Sequence, residues 1–230
     1  MSGAGGVVHA RIDPDTVVRL NDIATDAGVT LNMVALAVYA ASIIDAAGLE
    51  ALAVGVPLRG RLMHEIEPVM GFFNNTLPVD VTLNRDGTVA DYLRSVKGQL
   101  LEMFARQDIP FEVLAADAEI GRRVSKDGFY QVMFSFQSAR DRPRQWGPLE
   151  ELQIPFVQKG ATEDMGLWLR DDVDGLKGAF IYNAELFDRS TVEACKTRFF
   201  ELLESLIANP HQKVAAWCAA DGSSAGATLR

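Results

Sequence analysis

Met70-Gly-Phe-Phe-Asn-Asn-Thr-Leu-Pro-Val-Asp-Val81 decides how the chain reads. From Phe72 onward the residues alternate as a strand. Phe73, Asn75, Leu77, Val79 and Val81 take one face; Phe72, Asn74, Thr76 and Asp80 take the other. Asn75 thus falls on the apolar face, between Phe73 and Leu77. Burying a carboxamide without partners costs about 1–3 kcal/mol by mutational estimates. Asn75 therefore either braces a neighbouring backbone or lines a wet channel. Bracing is the expectation, because most buried polar side chains are bonded to protein. Two further stretches belong with this strand: Val54-Gly-Val-Pro-Leu-Arg-Gly-Arg61 upstream and Gln107-Asp-Ile-Pro-Phe-Glu112 downstream. In both, Gly or Pro fixes the turn or the helix exit.

Around these stretches the chain alternates strands and helices without a strict βαβ repeat. Residues 7–12 form a short strand. Asp13 caps a helix that has Pro14 at its first position and Gly28 as its stop. Thr30 opens a second helix, to about Ala47, with Gly48 after it. That helix is apolar nearly all round (Met33, Val34, Leu36, Val38, Tyr39, Ile43, Ile44), so it is expected to be buried on most sides. A Val-rich strand follows over 52–57, then a polar loop from Arg59 to Pro68. Thr88 with Asp91 three residues on marks the start of a third helix. Pro110 breaks it and Phe111 restarts a short one. Tyr130, Val132, Phe134 and Phe136 alternate onto the core side of the next strand. Residues 138–149 read as a linker, and strands are expected over 151–157 and 165–171. Asp174-Gly175 turns the chain into 176–182 as a hairpin. A last helix spans about 189–208 and ends at Asn209-Pro210. The fold class is α+β, a mixed sheet with helices packed on one face. Residues 1–6 read as a flexible N-terminus, 7–218 as one lobe and 219–230 as a disordered tail.

The 230 residues suffice for a real core. With 22 basic against 31 acidic residues, a net charge of −9 and no basic stripe, no nucleic-acid partner is expected. The longest apolar run, 33–44, is too short to cross a bilayer, so no membrane partner is expected either. Cys195 and Cys218 have no metal-ligand spacing, and two thiols do not make a disulfide framework; a cytoplasmic location fits. His9, His64 and His211 have no second histidine within ligand spacing, and no Gly-x-Ser-x-Gly appears. All three read as surface residues. Glu163, Asp164, Asp171, Asp172 and Asp174 read as a solvated strand end and turn, because the fixed loop spacing of an oxygen-ligand site is missing. No metal and no catalytic residue are assigned.

The segments that carry Gly55/Pro57/Arg61, Gly71/Phe73/Asn75/Thr76/Leu77 and Gln107/Asp108/Pro110/Phe111/Glu112 resemble, in order and spacing, the C-terminal lobe of a condensation domain of nonribosomal peptide synthetases. Tyr130-Gln-Val-Met-Phe134 and Tyr182-Asn-Ala-Glu-Leu-Phe187 extend the resemblance over residues 7–218. It implies the chloramphenicol-acetyltransferase-like fold of two lobes, with a cleft that admits two carrier-protein-bound thioesters. It also implies amide bond formation, with phosphopantetheine on partner carrier proteins and no cofactor bound directly. By the same resemblance Gly55, Pro57 and Arg61 belong to the cleft floor, and Gly71, Phe73, Asn75 and Thr76 border the substrate channel. Asp164 and Gly166 belong to the region that latches onto the first lobe.

The family's catalytic His-His-x-x-x-Asp-Gly has no counterpart here, so whether the chain is itself an enzyme stays open. It reads as a piece of a longer synthetase, a split domain or a relic. Its expected partners are an N-terminal condensation lobe, peptidyl or aminoacyl carrier proteins, or a second copy of itself. The alternatives are a non-catalytic binding or assembly module, or part of another acyl-CoA-dependent acyltransferase. Departures from the family pattern lie on the substrate side: Asn74 for Val, Asp80 for Arg, Arg106 for His or Asn, and no Arg-Asp-x-Ser-Arg at 123–128.

Overall fold

The computed structural model describes residues 3–117, 129–140, 145–150 and 160–219, without the side chain of Trp146. The expected strand at 151–157 and the divergent segment 123–128 lie outside them. The elements in chain order are β1 (Gly5–Ile12), α1 (Pro14–Ala27), α2 (Leu31–Ala47), β2 (Ala51–Leu58), β3 (Asn75–Thr82), α3 (Val89–Phe104), α4 (Phe111–Ala116), β4 (Val132–Ser138), β5 (Gln145–Trp146), β6 (Leu149–Glu150), β7 (Met165–Asp172), β8 (Gly175–Asn183), α5 (Arg189–Ala208) and α6 (Val214–Ala219).

The helices start where the sequence says they should, and α1 and α2 stop at Gly28 and Gly48, but α3 ends at Phe104, short of the Pro110 expected to break it. Asp13 accepts the Thr16 amide at 2.9 Å, and Pro14 sits at the first helical turn of α1. Thr30 caps α2, and Thr88 with Asp91 forms a reciprocal capping box at the start of α3. The short helix α6 has no counterpart in the sequence reading; it buries Val214, Trp217 and Cys218.

Among the described residues six strands form one mixed sheet in the order β1-β8-β7-β4-β2-β3. The pair β2–β4 and the pair β4–β7 are parallel, and the remaining pairs are antiparallel. One face carries Val8 and Ile12, Leu176 and Phe180, Leu167 and Leu169, Val132 and Phe134, Val54 and Val56, and Leu77 and Val79, all buried. All four long helices pack there, with α2 at the centre and thirteen of its residues buried. Tyr39, fully buried, stacks on Phe134 at 5.9 Å and meets Phe180 at 6.1 Å. No single helix among the described residues is long and apolar enough to cross a membrane. Helices α1 and α2 together have the length, but they meet at 97° and α2 lies inside the fold.

Four further boundaries differ from the sequence reading. β1 starts at Gly5, inside the stretch expected to be flexible, because Gly5 and Gly6 pair with Asn183 and Tyr182 of β8. Helix α6 extends to Ala219, the first residue of the expected tail. β3 starts at Asn75, not Phe72, since the preceding backbone is drawn into a loop by Arg61. β4 starts at Val132, which frees Tyr130 from the strand's alternation. Within the expected linker, β5 and β6 form a separate ribbon, turned by Gly147-Pro148.

Candidate functional site

The sheet face away from the helices carries a row formed by pairing alone: Gly55 of β2 opposite Met133 of β4, Met133 opposite Gly166 of β7, and Gly166 opposite Ile181 of β8. Two glycines thus flank Met133, which is itself buried. At Gly55 the reason is steric. An added Cβ would stand 2.5 Å from the Tyr130 ring, so only a bare backbone lets that ring lie on the strand. Tyr130 therefore sits on the open face, which corrects its expected place on the core side.

The Tyr130 ring is packed from behind by Phe111, at 5.9 Å between centroids, and Phe111 meets Phe129 at 5.4 Å. The Thr76 side chain lies beside the Tyr130 hydroxyl. Burial first, and the charge of Glu163 second, push the Tyr130 phenol above its ordinary range, while the Thr76 side chain pulls the other way. At neutral pH it is a neutral hydrogen-bonding group.

Asn75 joins this cluster from the other face of β3. Its Nδ2 donates to the backbone oxygens of Gln107 at 3.2 Å and Ile109 at 2.7 Å, and its Oδ1 accepts the amide of Phe111 at 3.1 Å. Both amide hydrogens and the carbonyl are used on one stretch of backbone. Asn75 is a brace: it fixes the exit from α3 around Pro110 and so places Phe111 under Tyr130. Three separated motifs thus become one object, with Tyr130 as a residue that the sequence reading does not assign to the site. The signal that points to Tyr130 is Gly55 itself, a glycine inside a Val-rich strand.

Arg61, Gly71 and Phe73 form a second group, in the loop between β2 and β3. Arg61 turns into that loop. Its Nη1 donates to the carbonyls of Ile66, Glu67 (3.3 Å) and Val69 (2.8 Å), and Nη2 donates to Gly71 at 3.4 Å. Its Cζ lies 4.5 Å from the centre of the Phe73 ring. Gly60, at φ 61°, closes the base of the loop, where a Cβ would overlap the Phe73 carbonyl. Pro57 pairs with Thr76 across β2 and β3 and so lies on the open face. Between this loop and the carboxyl ends of the parallel strands β2 and β4 opens a cleft of about 280 Å³, lined by Leu58, Arg59, Arg61, Gln107, Phe134 and Phe136 among others.

Asp164 and Gly166 lie at the entry to β7. The Asp164 amide donates to Gln131, its carbonyl accepts from Asn183, and Gly166 is paired on both sides. They are part of the main sheet. In the separate β5–β6 ribbon, Leu149 is 63% exposed.

Other candidates for chemistry lie apart. His9, His64 and His211 are exposed. Cys195 and Cys218 are buried, and burial pushes the Cys218 thiol up to about 11, which leaves little thiolate at neutral pH. Asp171, Asp172 and Asp174 face Arg140, Arg170 and Lys177 respectively, at 2.9, 3.6 and 2.6 Å, rather than a common centre. Among the described residues no group of three His, Cys, Asp or Glu could hold a metal ion.

Residues 3–223 match the family described as Condensation domain. The chain is 33% identical over 193 residues to surfactin synthase subunit 1 of Bacillus subtilis (strain 168), covering 84% of this chain and 5% of that protein. It is 31% identical over 197 residues to tyrocidine synthase 3 of Brevibacillus parabrevis, covering 84% of this chain and 3% of that protein. Among solved structures, the condensation domain from Monacolin K polyketide synthase superposes with a TM-score of 0.83 at 18% identity, covering 94% of this chain and 50% of that one. The X-domain from teicoplanin biosynthesis superposes with a TM-score of 0.74 at 25% identity, covering 93% of this chain and 49% of that one. The chain spans a few per cent of its curated relatives and about half of these solved domains.

Proposed function

The chain belongs to the condensation-domain family, and from that premise we propose that it acts as the C-terminal lobe of a nonribosomal peptide synthetase condensation domain. In this reading it supplies cleft wall and floor for amide bond formation between two carrier-bound thioesters. The observation that carries the reading is the convergence of family segments on Tyr130: Gly55 beneath its ring in the row with Met133 and Gly166, Phe111 behind it, and Asn75 bracing Phe111 from the other face of β3. Gly55, Met133 and Gly166 are all buried and the Tyr130 ring lies on Gly55, so the row is a closely packed wall, the role we assign to it beside the substrate channel. The open-face wall positions, and positioning is the larger part of what such a reaction needs. Proton handling at the attacking amine falls to the His-His motif of the complementary lobe. We keep Asp164 and Gly166, at the entry to β7, as the region that latches onto the first lobe.

The test is reconstitution. This chain is combined with an N-terminal condensation half-domain carrying His-His-x-x-x-Asp-Gly, and amide product is measured from carrier-bound thioesters. Neither half alone is expected to turn over, and the mixture is. Product from this chain alone would refute the assignment.

One observation favours a second reading, a recruitment module without chemistry. The X-domain of teicoplanin biosynthesis, which shares this fold, is known in a complex with OxyB. If the chain binds a protein while the reconstituted pair makes no amide, that reading stands instead.

A further inference from the structure

Residues 62–72 form a loop whose apolar side chains face outward: Met70 is 97% exposed, Phe72 89%, Met63 59% and Leu62 51%. An apolar loop held by no burial of its own should be a floppy one. This one has a polar interior. The Arg61 guanidinium donates to the carbonyls of Ile66, Glu67, Val69 and Gly71 and is backed by the Phe73 ring. Three turn bonds run through the same backbone, from the Ile66, Glu67 and Val69 amides to Met63, His64 and Ile66. A fixed planar fork reaches several carbonyls and lies on an aromatic ring at once; a lysine ammonium does neither well.

We propose that Arg61 is a positioning residue rather than a substrate contact. It holds loop 62–72 as a preformed knob that presents Met70 and Phe72 to the complementary lobe of the condensation domain. The occupant follows from two facts: the exposed side chains are apolar, and the solved condensation domains are about twice as long as the part that this chain covers. The choice of partner rests on the proposed function; the Arg61 staple does not. Because the knob is ordered before contact, association loses little loop entropy, and losing the staple should weaken binding without removing any contact atom.

The test has two arms. Hydrogen exchange is followed in the chain alone, with Arg61→Gln and Arg61→Lys. Amides of 66, 67 and 69 are expected to exchange at least tenfold faster in both variants, while those of α2 and β7 keep wild-type protection. Unchanged exchange in the loop overturns the staple. In the second arm, affinity for the separately produced His-His half-domain is measured. Phe72→Ser and Arg61→Gln should each weaken it about tenfold or more, and the double variant should lose little beyond either single one. Wild-type affinity in Phe72→Ser overturns the knob. If the wild-type chain does not bind the half-domain, the proposed function and the knob fail together, and the exchange arm still decides Arg61.

Discussion

Helix α2 and the loop at 59–74 solve opposite problems. In α2 nearly every side chain is apolar and enclosed; Tyr39 is 0% exposed and touches two buried rings. The backbone looks after itself there, and stability comes from what the side chains remove from water. In the loop the apolar side chains face out and the backbone is the part that is cared for, by one guanidinium. The first region holds the lobe together whatever lies outside it. The second contributes little to that and displays a surface instead. Between them stands Asn75, polar like Arg61 but rooted in β3, and it ties the α3 exit to the sheet.

Substitutions can pull these regions apart. Tyr39→Ala should cost most, about 3–5 kcal/mol, because it empties a large fully enclosed site between Phe134 and Phe180. Its check is the urea midpoint at unchanged slope. A loss below about 1 kcal/mol would mean that α2 is not the centre of stability. Asn75→Ala should cost about 1–3 kcal/mol, since the Phe111 amide and two carbonyls lose their partner. Asn75→Asp keeps the acceptor and loses both donors, facing the Gln107 and Ile109 carbonyls with charge, and should be no milder. If Asn75→Ala left stability unmoved but abolished reconstituted activity, the residue would line a channel instead of bracing the chain.

How much of this the sequence displays depends on whether the signal is local. Helix starts and stops are chemical and nearby: Asp13-Pro14, Gly28, Thr30, Gly48 and Thr88 with Asp91 all act where they stand. The odd placement of Asn75 is visible as well, because an amide on an apolar face demands partners. Which partners it takes is not, since they lie more than thirty positions away. Tyr130 is misplaced by alternation carried two residues beyond a strand that begins at Val132. Arg61 is the hardest to read. By resemblance it belongs to the cleft floor, yet its bonds go to carbonyls five to ten residues on in its own loop, and a backbone carbonyl has no letter in a sequence.

A milder substitution sharpens the same contrast at a helix start. Thr88→Ala removes the cap oxygen of α3 and should cost about 1 kcal/mol, within the usual range of about 0.5–2. The loss should appear in the urea midpoint and leave exchange in the 62–72 loop alone, since α3 belongs to the enclosed half of the molecule.

The smallest expected effect is a dependence on pH. Asp13 and Asp91 are held below the ordinary carboxylate range, Asp13 chiefly by the Thr16 amide and Asp91 chiefly by the Thr88 hydroxyl. A carboxyl whose folded pKa is depressed stabilises the fold while it is ionised. That stability is present above the unfolded pKa, near pH 4, and is lost as pH falls through the lower folded value. Both groups are at the surface, so the loss should be modest and partly screened by salt. Asp13→Asn keeps a cap oxygen but cannot titrate, so its urea midpoint should decline less steeply than the wild type's below about pH 4. Parallel curves would remove Asp13 from the acid response. The loop offers a control of opposite kind: its carbonyls are held by a guanidinium rather than a carboxyl, so loop protection should persist until the lobe itself opens. A loop that loosened first would show that something other than the guanidinium, such as Glu67 through its ion pair with Arg59, helps hold it.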